Sequence, residues 1–335
     1  MFTDLAEARQ ILSDLFDPAL LELVMAALVP AIAIQPTPDL TDSLTRIGGT
    51  PVMAAGIEWP RPRQPSDAAS FQDYGEEIAA YAAANLPLSF VAQIDLADLT
   101  NLDGITTDLP TDGRLLFFYD MMVGPFEHGD RLAKVIWDQS DPTNAVTHPV
   151  PPALTEAAGH YVETVKTSFK KIGLPLTEGD LQPPFFAPPR LGELQVRQQL
   201  TPPNTLEFQQ YSQLHDRAFK IDDLEFIERY TNAPWASAQD LPPVTLLGLP
   251  VPDQDDPRYD AVVLSEFGQQ YLDRDQWAAN KGQIFAQAKN WQLLLQVDFT
   301  AWNQSNSEGQ IYFLIRQNDL KNRKFENVVA IYQQT

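Results

Sequence analysis

The segment Ser89-Phe90-Val91-Ala92-Gln93-Ile94-Asp95-Leu96 is answered about 200 residues later by Gln292-Leu293-Leu294-Leu295-Gln296-Val297-Asp298-Phe299. Both are apolar strands that carry the same Gln-Φ-Asp signature. Each is followed by a loop, a glycine and a second strand, Gly113 to Tyr119 in the first half and Gly309 to Ile315 in the second. A third strand follows in each, Leu132 to Trp137 and Asn327 to Tyr332. Upstream, Gly49-Thr50-Pro51-Val52 is matched by Gly248-Leu249-Pro250-Val251. Four matches in one order at nearly one spacing predict an internal duplication, and a duplicated chain must find neighbours for the same apolar strands twice.

The strands are mostly continuous apolar runs, which suit a sheet covered on both faces. Short loops between consecutive strands favour antiparallel pairing. The predicted fold class is therefore α+β: internally duplicated, mostly antiparallel β-sheets with helices packed outside and an N-terminal helical addition. Four regions are expected. Residues 1–30 form the N-terminal helices and 31–150 the first β-rich half. A helix plus a proline-rich strap fills 151–203, and 204–335 is the second β-rich half, in one compact body with the first.

Helices are predicted from Asp4, from Asp17-Pro18, over Asp67 to Ala84, Pro152 to Ile172, Asp216 to Tyr230, and Asp260 to Ala288 with a break near Gly282. The apolar run Leu20 to Ile34 contains Glu22 and Pro30 and falls short of the roughly 20 residues of a membrane span. It reads as a buried helix ending near Pro30 and a strand from Ala31 to Ile34. Between Pro175 and Pro203, three proline pairs predict an extended strap with neither helix nor central strand.

The 335 residues are 44% hydrophobic, enough for a core, and they hold 45 acidic against 23 basic residues, a net charge of −22. That surface repels phosphate, so nucleic acid and anionic membrane are not expected partners. The N-terminus lacks a secretory signal, and the protein is expected to be soluble and cytoplasmic. With no cysteine, thiolate chemistry, disulfides and Cys-containing metal sites are excluded. Phosphate-binding glycine loops and a Gly-x-Ser-x-Gly elbow are absent. His128, His148, His160 and His215 are scattered, and the acidic run Asp253 to Asp260 lacks the glycine and glutamate of a calcium loop. No cofactor and no metal are expected.

In each Gln-Φ-Asp strand the two polar side chains share one face. Gln93, Asp95, Gln296 and Asp298 are either caps of the following turns or members of a cleft shared by the halves. Arg46, Glu58 and Trp59 flank the Gly48-Gly49 turn and either line a polar, aromatic pocket or form an Arg–Glu salt bridge with Trp59 over Pro60.

Arg46-Ile47-Gly48-Gly49-Thr50-Pro51 leading to Glu58-Trp59-Pro60, with Phe90 to Asp95, Leu246 to Pro250 followed by Gln254-Asp255, Trp291 to Gln296 and Gly309 to Phe313, resembles the YwqG-like family of bacterial proteins. That family is described only as a domain of unknown function. The resemblance covers about Ala31 to Gln333 and implies a duplicated, mostly antiparallel fold of bacterial origin, but no activity. Thr45-Arg46 stands where many members carry Ser-Lys. A cleft would take in Arg46, Glu58, Trp59, Gln93, Asp95, Gln254, Gln296 and Asp298. The favoured expectation is a non-catalytic binding module whose acidic surface meets a basic protein partner, in a regulatory or toxin-neutralising role. The alternative is a hydrolase or small-molecule-binding protein using that cleft.

Overall fold

The structure, a computed structural model, describes residues 1–38, 40, 43–63, 68–219, 224–232 and 242–334. The strands in chain order are β1 (Leu28–Pro36), β2 (Arg46–Ile47), β3 (Val52–Ala54), β4 (Ser89–Asp95), β5 (Arg114–Tyr119) and β6 (Ala133–Asp138). They continue with β7 (Ala145–Thr147), β8 (Arg190–Leu200), β9 (Val244–Leu246), β10 (Trp291–Asp298), β11 (Gln310–Arg316) and β12 (Val329–Gln333). Ten of them form one antiparallel sheet in the order β12-β11-β10-β9-β1-β8-β2-β4-β5-β6, and β3 pairs with β7 apart from it. Where two related sheets were expected, the long β1–β8 pair joins both sets of strands into one.

The order is the same read outward from β1 and β8. Arg46 pairs with Gln93 and Ile47 with Ala92, as Thr245 pairs with Gln296 and Leu246 with Leu295. The β4–β5 ladder shifts register between Phe90 and Ala92, and the β10–β11 ladder between Leu293 and Leu295. The turns after β2 and β9 also agree. Gly48 and Leu247 have φ of 63° and 59°, and their N–H groups donate to Val91 O and Leu294 O. Gly49 and Gly248 follow at 68° and 79°. A Cβ on Gly49 would lie 2.6 Å from Pro189, and one on Gly248 2.6 Å from Ala31, so both turns need glycine for space as well as for φ.

The sheet curls nearly into a barrel. Phe117 and Phe313 meet edge to face at 5.3 Å, the Trp302 indole donates to Val91 O at 2.9 Å, and Gly129 exchanges two backbone hydrogen bonds with Ala330. One core cluster therefore draws on both halves, with Ile94, Leu115, Val297 and Ile311 fully buried.

Helices cover the outside: α1 (Leu5–Ser13), α2 (Pro18–Ala26), α3 (Glu76–Ala84), α4 (Pro152–Ile172), α5 (Ser212–Ala218), α6 (Leu224–Asn232), α7 (Pro257–Val262) and α8 (Arg274–Ala288). Asp4 and Asp17 cap the first two, accepting from Ala6 and Glu7 and from Ala19 and Leu20. Leu12, Phe16 and Val24 pack against Phe208, Leu214, Phe226 and Tyr230, so the N-terminal helices sit on the helical start of the second half.

Several local readings change. Residues 190–200, read as part of the strap, form the central strand β8, because every proline of the strap lies outside them and their N–H donors are intact. β1 begins at Leu28 and runs through Pro30, which β9 does not cover, since β9 pairs only with Ile32 to Ile34. The helix predicted over 67–84 is a 3₁₀ segment, Ala68–Tyr74, and then α3; Asp67 lies outside the described residues. The helix predicted over 216–230 is α5 and α6, and 220–223 lie outside the described residues. The break expected at Gly282 lies at Gly268, whose φ of 65° ends a π turn over Val263–Phe267. Asp273 and Gln276 then start α8 with a capping box, and Gly282 sits inside it.

Candidate functional site

The repeated signature holds two other segments in place. Gln93 Oε1 accepts the Val52 N–H at 2.8 Å, and Gln296 Oε1 accepts the Val251 N–H at 2.9 Å. Each glutamine thus ties the Pro-Val segment of its own half onto the outer face of the sheet. Asp95 accepts from Ala97 N at 3.1 Å and Asp298 from Ala301 N at 2.7 Å, each capping the turn after its strand. Gln93, Asp95, Gln296 and Asp298 therefore engage their own halves.

Arg46 donates to the carbonyls of Ser43 and Thr50, forming no salt bridge with exposed Glu58. Trp59 donates to Leu88 O and packs edge to face on Phe118. Gln254 donates to Gln334 O, just past β12. Of the eight residues expected in a cleft, Gln296 and Asp298 line one cavity, of about 230 Å³, together with Met1, Thr245, Asp253 and Gln310.

That cavity lies where the two halves differ in charge. Opposite Gln93 and Asp95 stand Arg46 and Arg114; opposite Gln296 and Asp298 stand Thr245 and Gln310. In the first half Arg114 is buried and donates to Asp138 at 2.6 Å and to Ser140. Arg46 Nε, Arg114 Nε and Nη1 and Gln93 Nε2 have no acceptor among the described residues, so this half carries surplus donors. In the second half neither position carries a guanidinium, and the amides form a relay. Gln296 Nε2 donates to Gln310 Oε1 at 3.0 Å, and Gln310 Nε2 donates to Asp298 at 3.0 Å.

Asp253 adds a second carboxylate to the cavity. Burial, then the nearby charges of Asp298 and Glu308, push its pKa up to about 6. Asp253 N–H donates to the Tyr312 hydroxyl, which in turn donates to Val251 O at 2.7 Å, fixing the loop that carries the acid. The chemistry on offer is pairing with a cation: two carboxylates in a half-enclosed space, with no arginine where the first half has two. Asp253 stands out in the sequence only as part of an acidic run, and Thr245 and Gln310 do not stand out at all, although aligning the two Gln-Φ-Asp segments with their neighbouring strands places Thr245 against Arg46 and Gln310 against Arg114.

Another ionic cluster has a structural task. Asp256, fully buried, caps α7 and accepts from Leu206 N, while Arg258 donates to both Asp256 and Glu207. Among the described residues no group of three or more His, Asp or Glu is arranged to hold a metal ion, and no helix is long and apolar enough to cross a membrane.

No curated protein matches the chain. A family model does, over residues 45–333, from β2 through β12, taking in both glutamine clamps and the lining of the acidic cavity apart from Met1. The chain belongs to the family described as Domain of unknown function (DUF1963).

Proposed function

We propose that the two halves are copies of one unit, that the second has become a cation-binding site, and that the chain is a non-catalytic binding module. Its partner in this reading is a basic protein of the bacterial cytoplasm, and the acidic cavity takes a lysine or arginine head from it. The observation that carries the reading is that Thr245 and Gln310 stand where the first half has Arg46 and Arg114, so that Asp253 and Asp298 line the cavity with no guanidinium at either position. At about 230 Å³ the cavity is smaller than the ~300–1,000 Å³ of whole-ligand pockets and suits a single side-chain head. The net charge of −22 would speed encounter with a basic partner.

Isothermal titration with N-acetylarginine amide tests this. Affinity is expected to rise about tenfold between pH 5 and 7.5, because Asp253 is neutral below its pKa of about 6 and pairs with a cation only above it. Asp253→Asn should abolish the pH dependence and most of the binding. The same variant should raise stability. A carboxyl whose pKa is raised on folding favours the fold fully below its unfolded value of 3.8 and loses that contribution as pH rises through about 6. Discounted for partial exposure, the gain from Asn is about 1–2 kcal/mol at pH 7.5 and nothing below about pH 4. Binding that is equal at both pH values would refute the reading.

A further inference from the structure

The acidic cavity has an apolar neighbour. A second cavity of about 350 Å³ is lined by Pro202, Pro203, Phe219, Ile227 and Tyr230, and also by Val251 and Pro252. Val251 lines both spaces, with Pro252 on the apolar side and Asp253 on the acidic side. The wall between them is held firmly. Val251 donates to Gln296 Oε1 and accepts from the Tyr312 hydroxyl, and Pro252 restricts the backbone next to it. Phe219, at 57% exposure, leaves an aromatic ring in the lining of the larger cavity.

We infer that the two cavities form one bipartite site for a peptide segment of the basic partner, with a cationic side chain against Asp253 and Asp298 and an apolar side chain among Pro203, Phe219 and Ile227. This rests on the cation-binding reading above and adds to it the requirement for an apolar group beside the charge. Charge complementarity selects the occupant: the apolar space adjoins two carboxylates in a chain of net charge −22, so an acidic segment, or a second copy of this chain, would meet repulsion. The larger volume lies within the range of small-ligand pockets and the smaller one below it, which fits a bulky apolar group beside a compact charged head. Because the shared wall is fixed before binding, little ordering of the protein is needed when the second group docks.

Three capped peptides separate the contributions: acetyl-Leu-Ala-Arg-amide, acetyl-Ala-Ala-Arg-amide and acetyl-Leu-Ala-Gln-amide, titrated into the full chain at pH 7.5. The first is expected to bind about tenfold more tightly than either of the others, as burial of one apolar side chain allows. Thr231→Phe, which places a ring in the apolar cavity that Thr231 lines, should reduce the first peptide to the affinity of the second and leave the second unchanged. Asp253→Asn should reduce the first to the level of the third. Equal binding of the first two peptides overturns the bipartite site while the cation site stands. Equal binding of the first and third removes the cation from the account, and failure of all three to bind ends both readings.

Discussion

Replacing Arg258 by Ala is expected to lower the unfolding free energy by about 3–5 kcal/mol in urea titration, the largest loss from any single exchange considered. The reason is what remains. Asp256 is fully buried, and without the guanidinium its carboxylate keeps only the backbone N–H groups of Leu206 and Arg258, in a site chosen for an ion pair. Glu207, at 30% exposure, can turn to solvent and contributes less to the loss. The triple variant Arg258→Met, Asp256→Asn, Glu207→Gln should recover most of it, since a buried ion cluster gains little over a neutral one of similar shape. A triple variant as unstable as the single one would show that the segment from Thr205 to Glu207 depends on the charges themselves.

The second large effect concerns the glutamine clamps. Gln93→Ala should cost about 2–4 kcal/mol, combining a cavity at a fully buried position with an unpaired Val52 N–H. Gln296→Ala removes the same bond to Val251 and also breaks the relay through Gln310 to Asp298. Stability should fall in both, but binding of N-acetylarginine amide should survive only in Gln93→Ala, whose clamp lies in the other half. Equal loss of binding in the two variants would mean that the cavity depends on the whole sheet and not on the second half alone.

The sequence carried the clamp in plain view, as Gln-Φ-Asp with Gly-x-Pro-Val upstream, because the spacing of a backbone tie is repeated wherever the strand pair is repeated. It left open whether those residues cap or bind, since strand alternation gives the face of a side chain and not its partner. The hydrogen bonds to Val52 and Val251 supply that partner. The central strand β8 was hidden by the prolines on either side of it, which signal extended chain without saying that residues 190–200 between them keep every donor. The joining of both halves into one sheet was equally hidden, because β1 and β8 pair across more than a hundred and fifty residues of chain and no local pattern reports it (Gln35 opposite Glu193 is one such pair). The acidic cavity was legible only as a difference. Neither Thr245 nor Gln310 draws notice alone, and each acquires meaning beside the arginine that holds its place in the other half.

The most direct test of the account is the ionisation of Asp253 itself, followed by carboxyl ¹³C NMR with and without saturating N-acetylarginine amide. The expected result is a pKa near 6 in the free protein, raised by burial, Asp298 and Glu308, and a fall of at least about one unit when the cation binds, equivalent to a tenfold linkage. An ordinary carboxylate pKa near 4, or one that the arginine derivative leaves in place, would contradict it.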